Sequence, residues 1–244
     1  MVQRITIDLE QQQGTHLHLS SEQVHYLHRV LRLGAGDRFI AQDGKGQQWL
    51  AALAHPLERA DIIHTVAATP ISSTGPLRLI AALPKGNSFD QVVRQATELG
   101  VTHICPVISD RTLLKPKGNK LDRWRRIANE ASEQSERLTV PEISDPIAFK
   151  AVFKQQNGEG LRYLCAARQN PPHLLSELQK DLISEYLLGV SLMIGPEGGW
   201  TSEEITVATA HNYKVVSLGS AILRATTASV TALSLVTAAR ELLI

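Results

Sequence analysis

Cysteine is scarce in this chain, with only Cys105 and Cys165 among 244 residues. Both sit in apolar runs far apart in sequence, which excludes a disulfide framework or a cysteine-based metal site and suggests reduced, buried thiols. Long apolar runs are missing too. None approaches the roughly 18 residues that a membrane span needs. The opening "MVQRITIDLE" alternates like a strand and lacks the apolar centre of a signal peptide, so the expected location is the cytoplasm. An excess of one charge is absent: 25 Lys and Arg stand against 24 Asp and Glu. A polyanionic partner therefore cannot be argued from the total. Neither G-x-G-x-x-G nor G-x-x-x-x-G-K-[ST] occurs, so the dinucleotide fingerprint and the P-loop are both excluded. His25 and His28 stand at helical spacing, but no carboxylate or cysteine joins them at matching spacing. They read as exposed or capping histidines, and no metal is expected.

What is present divides in two. Hydrophobic residues make up 43% of the chain, enough for a real core. The first stretch reads as a small β-rich module. It holds the strand candidates "VQRITID", "DRFIAQ", "QWLAALA" and "DIIHTVAA", and a turn at Asp43-Gly44-Lys45-Gly46. "LSSEQVHYLHRVLRL" reads as a helix, with Ser20 as N-cap, Gln23 closing a capping box, and Val24, Leu27, Val30 and Leu31 on one face. Gly34 is placed to end it. "TPISSTGP" has the composition of a linker, which gives domains 1–72 and 73–244.

From Leu77 the pattern alternates. The strand candidates "LRLIAAL", "HICPVI", "RYLCAA", "VSLMIG" and "KVVSLG" are separated by helix candidates. These are Ser88–Leu99, Leu121–Leu138, Ile147–Gln155, Leu174–Leu188, Ser202–His211 and Thr227–Leu243. The alternation predicts an α/β domain, a parallel sheet covered by helices on both faces.

Ligands of such sheets sit outside the carboxyl ends of the strands. Three loops there are unusual: "LPKGNSFD" after Leu83, "GPEGGWTS" after Ile194 and "LGSAILRATTA" after Val216. The second resembles a phosphate cradle, yet Pro196 removes a donor and Glu197 would repel a phosphate. It suits a ligand that is neutral or cationic where it meets Glu197, with close backbone approach at Gly195, Gly198 and Gly199. Alternatively it is a tight structural turn in which Glu197 caps backbone groups. Thr201 and Glu204 form a capping box for the next helix.

"IGPEGGWTSEEI" followed by "SLGSAILRATTA" resembles the 16S rRNA uridine-N3 methyltransferase family, RsmE, of the SPOUT class. "HRVLRLGAGD", "ALPKG" with "QATELGV", and "RWRRIANEASEQSER" extend the similarity, in order, over nearly the whole chain. The resemblance implies an N-terminal PUA-like domain and a C-terminal SPOUT domain with a trefoil knot. It also implies a homodimer, S-adenosylmethionine as methyl donor, and 16S rRNA of the small ribosomal subunit as substrate. A cationic sulfonium and amino group fit a loop that tolerates a carboxylate. Carried over by motif, the donor-binding candidates are Leu83, Ile194, Gly195, Gly199, Leu218, Gly219 and Leu223. Ile194 and Leu218 would offer strand-end backbone groups to adenine, and Leu223 would pack on its face. Arg224 and Glu197 are the catalytic candidates. The family usually reads I-L-R-x-E-T-A at the third loop, whereas here Thr226 stands where Glu is usual. If that Glu is catalytic in the family, this protein does without it; if it is a helix-N-terminal charge or cap, Thr substitutes modestly.

Residues 109–126 hold seven basic and two acidic residues, a local +5 that leaves the rest of the chain at −4. This is a footprint for phosphate, or else a solvated loop. Its Arg111, Lys115, Lys117, Lys120 and Arg123, with Arg29 and Arg32 from the first module, are the RNA-binding candidates, and Arg38 and Lys45 could extend that surface. N3 of uridine attacks only when unpaired and, in effect, deprotonated, so the base must be single-stranded or flipped. Glu197, Glu130 and a water are the candidate bases. Other readings are a SPOUT enzyme acting on tRNA, or an RNA-binding assembly factor that has lost catalysis. Free rRNA and the assembled subunit stand equal as substrates.

Overall fold

The computed structural model describes residues 2–67, 75–112, 119–155, 160–168, 170–185 and 188–242, with residues 155 and 183–185 described by backbone alone. The chain folds as two compact units. One comprises Met1–Ser72 together with Asn129–Val140, the other Ser73–Ala128 with Pro141–Ile244. The segment 129–140, which a linear reading assigns to the second domain, thus folds with the first.

The first unit contains β1 (Arg4–Thr6), β2 (Gln12–Gln13), β3 (His16–His18), α1 (Ser21–His25), β4 (Arg38–Gln42), β5 (Gln48–Leu53) and β6 (Arg59–Val66). They form one six-stranded sheet in the order β1-β4-β5-β6-β3-β2, antiparallel except where β1 joins β4. Its core is built on Ile5, Leu17, Leu27, Phe39 and Trp49. The expected cap is present: the Gln23 N–H donates to Ser20 Oγ at 3.2 Å, and Gln23 Oε1 accepts from the Ser20 N–H at 2.8 Å. The helix then widens into a π turn over Tyr26–Val30. That wider turn rotates Val30 out to solvent, 57% exposed, while Leu27 is fully buried. Arg32, at φ 59°, takes the left-handed exit expected of Gly34. His28 is a capping histidine, its Nδ1 3.0 Å from the Leu33 carbonyl. The short strands β2 and β3 carry no strand signature in their polar sequence, QQGTHLH.

Asp43 shapes the β4–β5 turn by accepting the N–H groups of Lys45 and Gln47 at 2.8 and 2.9 Å. The turn holds the 129–140 segment through the Val140 N–H to the Gly44 carbonyl, 2.8 Å, and a bridge between Lys45 and Thr139. Glu133 accepts the Thr6 N–H, and Glu136 pairs with Arg4 at 2.7 Å. Burial pushes the Glu133 carboxyl above its ordinary range, and neighbouring Glu130 adds to the shift against the Thr6 hydrogen bond. A carboxyl raised by folding contributes stability that is present below its unfolded value, about 4.3, and lost as pH climbs through the folded value. Glu133→Gln keeps an acceptor for Thr6 without the charge. The variant is expected to gain on the parent as pH rises from below 4 toward neutrality, measured as urea midpoints against pH.

The second unit contains β7 (Leu77–Ala82), α2 (Ser88–Glu98), β8 (His103–Ile108), α3 (Lys120–Gln134, whose last turns belong to the first unit), β9 (Glu142–Ile143) and β10 (Ile147–Ala148). It continues with α4 (Phe149–Gln155), β11 (Gly160–Cys165), α5 (Leu174–Glu185), β12 (Gly189–Ile194), α6 (Ser202–Ala210), β13 (Lys214–Val216) and α7 (Ala225–Glu241). The sheet runs β10-β8-β7-β12-β11-β13, with β9 also on β8, and every pairing is parallel. Central β12, GVSLMI, is buried throughout, as a strand covered on both faces must be. Helix α2 buries Phe89, Val92, Val93 and Ala96 as the periodicity predicts. The expected helix from Ile147 begins two residues later, because Ile147 and Ala148 pair with Val107 and Ile108. Cys165 is buried, and burial pushes its thiol up to about 12, which makes it an inert core residue.

Candidate active site

The carboxyl ends of β12, β11 and β13 open into one cavity of about 370 Å³. β11 lies in the middle: its last residue, Cys165, is in register with Ile194 of β12 and Val216 of β13. The walls are the segment 194–200, the segment 165–168, and the third loop with the first turns of α7.

The segment after β12 is held on several sides. The Gly199 N–H closes a turn on the Pro196 carbonyl at 2.8 Å. Glu197 Oε1 accepts the Lys85 N–H at 3.0 Å, so the carboxylate and proline of this Gly-rich loop serve its own geometry rather than a phosphate. Arg111 Nη1 donates to the Gly198 carbonyl at 2.6 Å. Thr201 caps α6 as expected, and Glu204 does more than complete the box. It is 3% exposed; its Oε2 accepts the Thr201 N–H at 2.8 Å and its Oε1 the Asp110 N–H at 3.0 Å. One carboxylate thereby ties the loop after β8 to the loop after β12. A Cβ on Gly195 would stand 3.2 Å from the Trp200 indole, so the glycine lets the chain lie against that ring. Trp200 is backed by Phe149, with ring centroids 5.3 Å apart. Gly199 has φ +70° and open space where a Cβ would be; the dihedral, not crowding, demands glycine.

Of the donor candidates, Ile194, Gly195, Gly199, Leu218, Gly219 and Leu223 line the cavity. Leu83 does not. It is buried, its N–H bonded to the Val107 carbonyl at 3.0 Å, because β7 lies on the far side of β12 from the cavity. Of the catalytic candidates, Glu197 lines the cavity. Arg224 is the N-cap of α7, between lining residues Leu223 and Ala225. It is exposed, and its side chain makes no hydrogen bond or ion pair among the described residues. Thr226 sits in the first turn of α7, which holds no acidic residue. Glu130 lies on α3, is not among the residues that line this cavity, and helps to push the Tyr26 hydroxyl and the Glu133 carboxyl up.

The RNA candidates are more dispersed. Arg29 and Arg32 are exposed on and just after the π turn. Arg111 is committed to Gly198, and Arg123 pairs with Asp90 at 2.8 Å. Lys120 opens α3, half-buried, and Lys115 and Lys117 lie outside the described residues. The wall missed from sequence is 165–168, with Arg168 exposed on it. The rule about carboxyl ends of strands pointed there, but "RYLCAA" carries no glycine or proline to mark a loop. Among the described residues, no cluster of three His, Cys, Asp or Glu could hold a metal ion, and no helix is long and apolar enough to cross a membrane.

A family model for an RNA methyltransferase domain matches residues 72–237, and one for an RNA methyltransferase PUA domain matches residues 19–60. The chain is similar to the ribosomal RNA small subunit methyltransferase E of a Synechocystis strain, 42% identical over 99% of this chain and 79% of that protein. It is also similar to the solved ribosomal RNA small subunit methyltransferase E of Neisseria gonorrhoeae bound to S-adenosyl methionine. There the identity is 29%, the coverage 96% of each chain and the TM-score 0.84. A methyltransferase of Legionella pneumophila, solved in complex with the same cofactor, gives 28% identity, 98% of each chain and a TM-score of 0.86.

Proposed function

This chain belongs to the RsmE family of RNA methyltransferases, and we propose that it moves the methyl group of S-adenosylmethionine to N3 of a uridine in 16S rRNA. The observation that carries this reading is the single cavity at the carboxyl ends of β12, β11 and β13, in a chain that matches donor-bound relatives end to end. The cavity suits the donor. Its volume is that of a small-molecule site, Ile194, Leu218 and Leu223 give apolar walls for a nucleoside, and Gly199 leaves its open side free. When bound, the donor supplies an electrophilic methyl on a sulfonium.

The protein's own part is alignment and charge. The strand end at Ile194 and the loop backbone at Leu218, just past β13, hold the nucleoside, and the loops pre-align the reactants, which can supply roughly 7–11 kcal/mol. Arg224, beside the cavity and without a side-chain hydrogen bond or ion pair among the described residues, stabilises negative charge on a uracil oxygen as N3 loses its proton. Glu197 is the lining carboxylate that receives this proton; one of its oxygens is occupied by Lys85. Lys115, Lys117 and Lys120, with Arg29 and Arg32, contact phosphates, while Arg111 and Arg123 are engaged with Gly198 and Asp90. The trefoil knot, the homodimer, a domain boundary at 72/73, with 129–140 returning to the first unit, and a cytoplasmic site of action belong to the same proposal, supported by full-length similarity to the family.

Transfer of labelled methyl from the donor into 30S subunits, naked 16S rRNA and tRNA tests it. The expected result is incorporation into 16S rRNA, free or assembled, and none into tRNA. Label in tRNA alone would replace the proposed substrate.

A further inference from the structure

Three charged side chains line the cavity among the described residues: Arg111, Glu197 and Arg168. Two are engaged by the protein itself, Arg111 with the Gly198 carbonyl and Glu197 with the Lys85 N–H. Arg168 is exposed and has no hydrogen bond or ion pair to any described residue. Ala166, two positions earlier, donates its N–H to the Val216 carbonyl at 2.9 Å, which fixes the start of this wall to the end of β13. Because β11 lies between β12 and β13, the segment leaves from the centre of the cavity floor.

We infer that Arg168 binds the α-carboxylate at the amino-acid end of the methyl donor. This rests on the reading of the cavity as the donor site. The nucleoside takes the apolar walls, so the opposite end brings a carboxylate, the one full negative charge of the donor, into a cavity with one uncommitted lining cation. A guanidinium is permanently charged, and its planar fork matches a carboxylate bidentately. Holding that end fixes the direction in which the sulfonium methyl points. Arg168 is therefore a binding and orienting residue.

The test compares two ligands by calorimetry. S-adenosylhomocysteine has the carboxylate; methylthioadenosine keeps the nucleoside and thioether and lacks the amino-acid end. Arg168→Met should weaken S-adenosylhomocysteine about ten- to hundredfold and leave methylthioadenosine unchanged. Arg168→Lys, which keeps the charge but not the fork, should fall between. Unchanged affinity for both ligands would overturn the assignment, and so would an equal loss for both. Weaker binding to a 16S rRNA fragment with donor affinity intact would overturn it in favour of a phosphate contact. If the parent protein binds neither ligand, the donor-site reading itself fails.

Discussion

Arg224→Ala is expected to lower methyl transfer about a hundredfold or more, the usual loss when one donor to developing negative charge is removed, about 2.7–4 kcal/mol. Fold and donor affinity should survive. Two arrangements were open for this residue: an ion pair that holds the knot region together, or a cation kept free for the reacting base. The structure has Arg224 exposed at the N-cap of α7 without a side-chain hydrogen bond or ion pair among the described residues, so alanine removes no such bond among them. Arginine cannot serve as the base, because it does not lose its proton at working pH. Its effect must come through charge. Lysine should recover part of the rate, and the optimum of the variant should move to higher pH, since N3 loses the cation that lowers its effective pKa. Normal turnover in the alanine variant would refute the role, and a fall in melting temperature together with donor affinity would assign Arg224 to structure.

Gly199→Val should abolish measurable donor binding. The residue stands at φ +70° in the turn closed on Pro196, in a region where a β-branched side chain is a genuine outlier. Strain of this kind costs about 1–3 kcal/mol, enough to drive the turn into another conformation. Crowding is not the cause, because open space surrounds the position. Gly199→Asn separates the two explanations, since asparagine tolerates left-handed backbone. It should retain more donor affinity than valine by calorimetry. Equal loss in both variants would mean that the occupant, not the dihedral, requires glycine. Unchanged affinity in the valine variant would remove this loop from the donor site.

Much of this was legible in the residues. The alternation after Leu77 gave the parallel sheet because helix and strand periods are local properties, and the capping boxes at Ser20 and Thr201 are local as well. Strand order is not local. Three conspicuous loops were visible, but which of them share a cavity depends on β11 lying between β12 and β13, and this excludes Leu83 and admits Arg168. Long-range partners were equally hidden. Nothing near Glu197 announces Lys85, and nothing near Glu204 announces Asp110. The π turn after α1 was missed because Val30 obeys the helical period that the backbone abandons at Tyr26.

The position of the transferred methyl tests the central claim most directly. A methyl on N3 occupies the pairing edge of uracil, so reverse transcriptase must stop there. The account predicts that 16S rRNA treated with the protein and S-adenosylmethionine shows one new stop at a uridine, and that its nucleoside digest contains 3-methyluridine. Methylated uridine without a stop, with the methyl on carbon or ribose, would contradict it, as would donor-bound protein that leaves 16S rRNA unmodified both free and in 30S subunits.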